Sequence, residues 1–148
     1  DGEIGESHFP EPHLIPIVLF TALKKRDSVS IFGNDYNTPD GTCVRDYIHI
    51  YDLADAHLSA LDYLDKGGKS DIFNLGTGNG NSVKEIIESA KKITGLDIPS
   101  KIEGRRAGDR DILVADNKKA KEVVGWSPKY NLDDIISSAF NWHKNQKY

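Results

Sequence analysis

The sequence predicts an α/β fold of short strands and packed helices in one domain, residues 1–148. Two observations support this prediction. Segments with strand character alternate with segments of helical periodicity along the whole chain, and glycine or proline separates many of them. The composition, 38% hydrophobic and 28% charged residues, is that of a globular protein rather than a disordered or fibrous one.

The first half of the chain predicts two helices and two strands around a polar turn. Pro16 suits the first turn of a helix, where a missing backbone N–H costs nothing, and the basic run 24–26 favours the end of that helix. Asp52 is a natural N-cap for the second helix, which Gly67 ends. The inward stripe of that helix is predicted to be Leu53, His57, Ala60, Leu61 and Leu64. The predicted elements are a helix over 16–23, a strand over 29–32, a turn over 35–42, a strand over 44–50 and a helix over 52–66.

The second half of the chain predicts a capped helix and two closing helices. Ser82-Val83-Lys84-Glu85 is a capping box, which satisfies the first backbone N–H groups of a helix that Gly95 ends. The last helix is predicted to bury Leu132, Ile135, Ile136, Ala139 and either Trp142 or His143. The predicted elements are a strand over 72–75, a glycine loop over 76–81, a helix over 82–94, a strand over 101–103, a polar loop over 104–110 and helices over 117–124 and 132–145.

The composition argues against several classes of function. The net charge is −4 and no basic stripe with interleaved aromatic residues occurs, so we expect no nucleic-acid partner. No apolar run approaches the ~20 residues that span a bilayer, and no signal peptide opens the chain, so we expect no membrane association. The single Cys43 cannot form an internal disulfide, which fits the reducing cytoplasm that we predict as the location.

The start of the chain predicts a piece of a longer protein. The sequence contains no methionine and therefore no initiator residue. Residues 1–7 are polar and rich in glycine, which is typical of the middle of a loop. An excised segment explains both features more simply than a processed mature protein does.

Several apparent chemical motifs favour a structural role. The glycine loop over 76–80 lies between a strand and a helix, but the dinucleotide-binding pattern G-x-G-x-x-G needs its third glycine at position 81, which is Asn81. No group of residues has the spacing of metal ligands. Cys43 is expected to be a small buried hydrophobic residue, and His57 a core histidine.

Two arginine-centred segments remain as candidate sites. In the predicted strand over 44–50, Arg45, Tyr47 and His49 lie on one face. The polar loop after the 101–103 strand adds two arginines and a carboxylate. A planar guanidinium suits phosphate, and an aspartate accepts hydrogen bonds from sugar hydroxyls. A surface ion-pair cluster is the alternative, and the residues alone leave both open. The loop residues concerned are Arg105, Arg106 and Asp109.

These segments stand within longer runs that resemble the UDP-glucose 4-epimerase family. Residues 31–49 read Ile-Phe-Gly-Asn-Asp-Tyr-Asn-Thr-Pro-Asp-Gly-Thr-Cys-Val-Arg-Asp-Tyr-Ile-His, and residues 52–57 read Asp-Leu-Ala-Asp-Ala-His. Shorter matches lie at 73–78, 105–109 and 126–128, so the resemblance covers essentially the whole chain in order. The Arg-Asp-Tyr-Ile-His piece recurs across nucleotide-sugar enzymes of the extended short-chain dehydrogenase class, whereas the Phe-Gly-Asn-Asp-Tyr run is more specific to the 4-epimerases.

The resemblance implies that nine residues bind a UDP-sugar. Their implied roles are the diphosphate for Arg45 and Arg106, the ribose hydroxyls for Asp109, the uracil pocket for Ser30 and Phe32, backbone contact with the base for His13 and Leu14, an apolar nucleotide contact for Val83, and a limit on sugar bulk for Leu113. Leucine leaves intermediate room at position 113, so acceptance of an N-acetylated sugar is a further hypothesis.

The resemblance also implies what a complete parent protein does. Family members are cytoplasmic, NAD-dependent isomerases of galactose metabolism that interconvert UDP-glucose and UDP-galactose, and they usually dimerise through the NAD-binding domain. This chain is then the small C-terminal substrate domain without its Rossmann domain. The family's catalytic Tyr-x-x-x-Lys pair is absent from the chain, so no catalytic residue is assigned. We expect the isolated chain to be inactive and to expose an apolar patch where that domain docks.

The sequence leaves two alternative functions open. Another nucleotide-sugar enzyme of the same class, such as a 4,6-dehydratase or a UDP-glucuronate decarboxylase, differs from an epimerase chiefly in the half that precedes these residues. A free-standing nucleotide-binding module is the other alternative, and the absent methionine and mid-loop start argue against it.

Overall fold

The computed structural model describes residues 4–146, which contain five helices and five short strands interspersed along the chain. The α/β class predicted from the sequence is confirmed. The elements, numbered in chain order, are α1 (Leu14–Ala22), β1 (Val29–Phe32), β2 (Val44–Arg45), α2 (Ile50–Asp65), β3 (Asn81–Ser82), α3 (Val83–Thr94), β4 (Ser100–Glu103), β5 (Ile112–Leu113), α4 (Lys118–Val124) and α5 (Leu132–Lys144). No helix in this part of the chain has both the length and the apolar character needed to cross a membrane.

The strands form two small sheets. β1 pairs in parallel with β4, so that Phe32 lies beside Glu103. β2 is the centre of the other sheet, antiparallel to β3 and parallel to β5, with Arg45 between Asn81 and Leu113. The sequence does not predict β3 or β5, because two residues are too few to show an alternating pattern.

Helices α1, α3 and α5 pack against one another and form the main core together with β1. α1 is apolar on most sides because these neighbours surround it. A smaller cluster around Trp126 joins α2 to α4. Because α1, β1, α3 and α5 are packed in this core, side chains that they present to the surface are rigidly supported. The buried aliphatic residues of the main core include Val18, Leu19, Val29, Ile31, Ile86, Ile87, Ile98 and Ile136.

The predicted starts of α3 and α5 are confirmed. Ser82 Oγ accepts a hydrogen bond from Glu85 N at 3.0 Å, and Glu85 Oε2 accepts one from Ser82 N at 2.7 Å. A second capping box begins α5. Both Trp142 and His143 are buried in α5, where the sequence left a choice between them.

The predicted strand over 44–50 is wrong beyond its first two residues. β2 stops at Arg45 because Asp46 turns away to accept hydrogen bonds from the backbone of the glycine loop. His49 is the N-cap of α2, and its ring Nδ1 accepts a hydrogen bond from Tyr51 N at 3.0 Å. The single strand face expected from the sequence is therefore not formed.

The predicted start and inward stripe of α2 are also wrong. The helix begins at Ile50, and Asp52 is buried because its carboxylate accepts hydrogen bonds from the backbone N–H groups of Lys129 and Tyr130. The buried face carries Ala56, which packs in the cluster around Trp126, so it lies to one side of the stripe that was expected. The large apolar side chains left half or more exposed on α2 include Leu58, Leu61 and Leu64.

Two local predictions fail and one is confirmed. His57 is exposed rather than in the core, with its Nδ1 2.7 Å from the carbonyl oxygen of Leu53. Residues 72–75 form no strand, because no other segment of the described chain pairs with them, and Ile72 is largely exposed. Cys43 is buried, as the sequence predicts.

Candidate functional site

A cavity of about 1400 Å³ opens between the N-terminal segment, α1, α5 and the edges of both sheets. Small-molecule sites are concave and have a few polar groups among apolar walls, so this cavity is the natural candidate. It brings together eight of the nine residues for which the resemblance implies a binding role. The eight are His13, Leu14, Ser30, Phe32, Arg45, Val83, Arg106 and Asp109.

Two arginines share one carboxylate at this cavity. Asp109 Oδ1 lies 3.3 Å from Arg45 Nη2, and Asp109 Oδ2 lies 3.0 Å from Arg106 Nε. The side chains of Asp109 and Arg45 are 18% and 25% exposed, whereas that of Arg106 is 61% exposed. Two positive charges against one negative charge leave a net positive group, which attracts anions.

Arg45 is held from several sides. It projects from the central strand β2, and its Nη1 donates to the carbonyl oxygens of Val44 and Arg110, both at 2.8 Å. Its Nη2 donates to Asp109. Both terminal nitrogens are therefore oriented before any ligand arrives, which lowers the entropic cost of binding one.

Arg105 and Arg106 are neighbours in the chain but point to different surfaces. The Arg106 guanidinium lies 4.7 Å from the centroid of the Phe32 ring. The Arg105 guanidinium lies 4.1 Å from the centroid of the Tyr36 ring, and its Nε donates to Asp35 Oδ1 at 2.7 Å. This hydrogen bond lowers the pKa of Asp35. Of the two arginines, Arg106 lines the cavity and Arg105 does not.

One wall of the cavity is the outward face of β1. Successive strand residues point to opposite sides, so Ser30 and Phe32 face the cavity while their neighbours enter the core. The Ser30 hydroxyl donates to Glu103 Oε1 at 2.8 Å. Hydrogen bonds from Lys101 and then from Ser30 lower the pKa of Glu103. The wall therefore combines the aromatic surface of Phe32 with the hydroxyl of Ser30, which a charged group outside the cavity lining orients.

The segment before α1 forms another edge of the cavity. The Glu11 carboxylate, whose side chain is only 8% exposed, accepts a hydrogen bond from His13 N at 2.8 Å and lies 2.7 Å from His13 Nδ1. This contact fixes the backbone just before Leu14. His13 gives α1 no side-chain cap, and the first N–H groups of a helix have no acceptor within the helix. Leu14 thus lies where backbone donors meet the cavity.

The cavity lining also includes apolar side chains and two aromatic rings whose pKa is shifted, those of Tyr47 and His49. Val83 lies in the first turn of α3, and burial raises the pKa of Tyr47 to about 12. Burial lowers the pKa of His49. Since His49 Nδ1 accepts from the Tyr51 backbone, the neutral ring has its proton on Nε2, which lies 3.0 Å from Ser138 Oγ. His49 is thus a neutral structural histidine.

The glycine loop binds a side chain of this same chain. Asp46 Oδ1 accepts hydrogen bonds from Thr77 N and Oγ1 at 2.8 and 2.6 Å, and Oδ2 accepts one from Gly78 N at 3.0 Å. Gly76 permits this approach, because a Cβ there would lie 2.5 Å from Asp46 Oδ2. The N–H groups of Thr77, Gly78 and Asn79 are already paired within the chain, so this part of the loop forms no cradle for the phosphates of NAD. Residues 4–146 also contain no cluster of His, Cys, Asp or Glu suited to a metal ion.

Leu113 lies outside the main cavity. It is 62% exposed and pairs with Arg45 across β2 and β5. It lines a second, smaller cavity of about 580 Å³ together with Arg45 and Asp46. Arg45 therefore stands between the two cavities, with Leu113 on the other side of it.

Three carboxylates that organise the site were not predicted from the sequence. Glu11 orders the backbone before α1, Asp46 anchors the glycine loop, and Asp35 holds Arg105. Asp46 and Asp35 bind groups 31 and 70 residues away, and no local pattern reveals such partners. The available signal was that Asp35 and Asp46 both lie within the recognised run over residues 31–49, with Asp46 directly after Arg45.

The family model described as GDP-mannose 4,6 dehydratase matches residues 2–139. The UDP-glucose 4-epimerase of Lactobacillus helveticus is 56% identical over 146 residues, covering 98% of this chain and 44% of that protein. The UDP-glucose 4-epimerase of Halalkalibacterium halodurans is 52% identical over 149 residues, covering 100% of this chain and 45% of that protein. The chain thus spans less than half the length of these relatives, and the matched part is their C-terminal portion.

A solved structure supports the same likeness at the level of the backbone. The UDP-glucose 4-epimerase of Bifidobacterium longum, crystallised in complex with NAD+ and UDP, superimposes with a TM-score of 0.92 at 41% identity. The match covers 98% of this chain and 43% of that one.

Proposed function

Because this chain belongs to the family described as GDP-mannose 4,6 dehydratase and matches the C-terminal portion of UDP-glucose 4-epimerases, we propose that it is the UDP-sugar-binding part of such an epimerase. The observation that supports this most directly is the group of Arg45, Asp109 and Arg106 at a cavity large enough for a nucleotide sugar. A diphosphate is a strong bidentate acceptor for guanidinium groups.

The proposed contacts divide the cavity by chemistry. The diphosphate takes the N–H groups of Arg45 and Arg106 that are not bound within the chain. Asp109, released from part of its contact with the arginines, accepts hydrogen bonds from the ribose. The base lies against Phe32 and Ser30, with the backbone at His13 and Leu14 and the side chain of Val83 nearby. These residues line one cavity in the ligand-free chain.

In the proposed parent enzyme, this chain binds and orients the substrate. NAD would supply the hydride chemistry, and the glycine loop of this chain does not fit its phosphates, since Asp46 already occupies the loop. The part of the parent outside this chain is proposed to bind NAD and to supply the catalytic residues. Binding energy from the remote nucleotide then helps to position the sugar. We therefore expect the isolated chain to show no turnover of UDP-glucose in a coupled assay.

Three finer properties of the parent are part of the same proposal. Its substrates are UDP-glucose and UDP-galactose, it is a homodimer that pairs through the portion outside this chain, and it acts in the cytoplasm. Leu113, exposed beside the smaller cavity, is proposed to leave room for an N-acetylated sugar. Undetectable turnover of UDP-N-acetylglucosamine by the full-length protein, beside normal activity with UDP-glucose, would contradict the last point.

Calorimetric titration of the chain with UDP tests the proposal. We expect saturable binding that Arg106→Ala weakens by about 1.5 kcal/mol, roughly tenfold, because a charge-assisted contact is lost. Arg110→Ala is the matched control, since Arg110 lies in the same loop, is exposed and does not line the cavity. GDP tests the base, and we expect it to bind more weakly than UDP.

The results that contradict the proposal differ in what they exclude. A folded chain that binds no UDP has no working nucleotide site. Equal affinity for UDP and GDP removes the proposed role of the β1 wall in selecting the base. An equal loss of affinity in Arg106→Ala and Arg110→Ala reduces the arginine contact to nonspecific attraction by charge.

A further inference from the structure

The loop over 104–110 carries both Arg106 and Asp109 but has few attachments. The glycines on either side of its two arginines have no atom within 4 Å of the position that a Cβ would take, so the backbone is open there. Among the described residues, hydrogen bonds tie this loop to other segments at two places. One is Arg45 and the other is Arg105.

Tyr36 and Asp35 form a well-defined binding site for the Arg105 side chain. Its guanidinium covers the ring of Tyr36, a residue only 4% exposed, at 4.1 Å from the centroid. The carboxylate and the backbone carbonyl of Asp35 both accept hydrogen bonds from it. Gly33, at φ +89°, is needed here, because a Cβ would lie 2.6 Å from Tyr36 Cε2 and 2.8 Å from Arg105 Cγ. The stack therefore depends on close packing as well as on charge.

The turn that contains Asp35 and Tyr36 is itself attached to the main core. Tyr36 N donates to the carbonyl oxygen of Gly41 at 3.0 Å, which closes the turn. The Thr42 hydroxyl donates to Asp40 Oδ1 at 2.7 Å, and the Ser82 hydroxyl at the start of α3 donates to the other oxygen of Asp40. Arg105 thus connects a sparsely attached loop to a turn that is fixed to α3.

From this arrangement we propose that Arg105 is a positioning residue for the diphosphate. With Asp35 and Tyr36 it holds the loop so that Arg106 faces the cavity, and it acts through Arg106 rather than on the ligand. Arg105 does not line the cavity, and its charge and its flat face are already engaged. The inference rests on the proposed binding of UDP at this site. Recognition of this kind requires a side chain held within about 0.5 Å of its productive position.

Replacement of Asp35 separates positioning from direct binding. Asp35→Asn removes the ion pair and leaves Arg105 in place, so we expect UDP affinity to fall about fivefold in a calorimetric titration. If Arg105 were itself a phosphate ligand, loss of Asp35 would free it, and UDP would bind as tightly or more tightly. Asp71→Asn is the matched control, because it removes the same charge from an ion pair with Lys119 that lies outside the cavity lining. We expect its UDP affinity to be unchanged.

A double-mutant cycle then tests whether the effect passes through Arg106. In a chain that already carries Arg106→Ala, Asp35→Asn should change UDP affinity by less than about twofold, because the group that it positions is gone. A fivefold loss in both backgrounds indicates a general structural effect and overturns the inference. Arg105→Lys keeps the charge but not the planar stack, and it should weaken binding in the same way as Asp35→Asn.

The outcomes also separate this inference from the proposed function. If the unaltered chain does not bind UDP, the proposed function is overturned, and this inference with it. If the unaltered chain and its Arg106→Ala variant behave as proposed but Asp35→Asn binds UDP like the unaltered chain, this inference alone is overturned.

Discussion

Arg45 and Arg106 reach the same carboxylate, but the fold holds them in different ways. Arg45 leaves the central strand of a sheet, binds two backbone carbonyls and is 25% exposed. Arg106 belongs to a loop, rests on the Phe32 ring and is 61% exposed. We therefore expect a ligand to meet one preformed contact, at Arg45, and one that adjusts, at Arg106.

Asp109 connects the two arginines. Each of its oxygens contacts one of the arginines, so the carboxylate balances part of their positive charge. A diphosphate brings more negative charge and more acceptor oxygens than one carboxylate does. We infer that it displaces Asp109 from the exposed Arg106 more readily than from the sheet-held Arg45.

The largest effect is expected from loss of the anchor behind Arg45. Asp46→Ala removes the carboxylate that accepts from Thr77, Gly78 and Ala115, so backbone donors lose their acceptors. We expect the free energy of unfolding, measured by urea titration, to fall by about 3 kcal/mol. The control is Asp55→Ala, which breaks an exposed pair with Lys129 and should cost less than about 1 kcal/mol. Equal losses in the two variants would show that the glycine loop does not need Asp46.

A smaller effect distinguishes the two arginines directly. Arg45→Ala leaves the carbonyl oxygens of Val44 and Arg110 without this donor, and we expect the free energy of unfolding to fall by about 1–2 kcal/mol. Arg106→Ala, the control, changes an exposed side chain and should stay within about 0.5 kcal/mol of the unaltered chain. If both variants unfold at the same urea concentration, the distinction between a sheet-held and a loop-held arginine is wrong.

The smallest effect is a loss of stability in acid that comes from two histidines lining the cavity, His49 and His143. Burial lowers the pKa of His49 and of His143, so the folded chain resists protonation that the unfolded chain accepts near pH 6.5. Their contribution is complete above about pH 6.5 and declines as the pH falls through that value toward the lower folded pKa. Urea unfolding at pH 7.5 and 5.5, with NMR titration of the His49 ring, measures it. A His49 ring that titrates above pH 6.5 would contradict the expected sign.

The elements of the fold also differ in how well the sequence predicts them. Local signals in the sequence correctly predicted β1, the capped helix α3 and the buried face of α5. Each of these features depends on residues only a few positions apart. The strand over 72–75 failed since strand formation requires a neighbour, and the apolar pattern does not supply one. The predicted inward stripe of α2 was wrong because packing against the Trp126 cluster, and not the helical periodicity, selects the side of the helix that is buried.

For the candidate site, the resemblance to the family named residues that share a cavity, but it did not reveal how they are arranged. Eight of the nine residues implied by the resemblance line one cavity, while Leu113 lies beside another. The ion pair of Arg105 with Asp35 spans 70 positions, so only the folded chain shows what Arg105 binds while Arg106 lines the cavity. Long-range pairs of this kind set the geometry, and no spacing rule contains them.

The most direct test is an NMR titration of the arginine Nε–H signals with UDP. We expect the signal of Arg106 to shift most and to saturate, and the signal of Arg45 to shift with the same dissociation constant. The signal of Arg105 should stay close to its position before UDP is added. A saturable shift of Arg105 in place of Arg106, or binding that leaves both cavity arginines unchanged, would contradict the assignment of the diphosphate site.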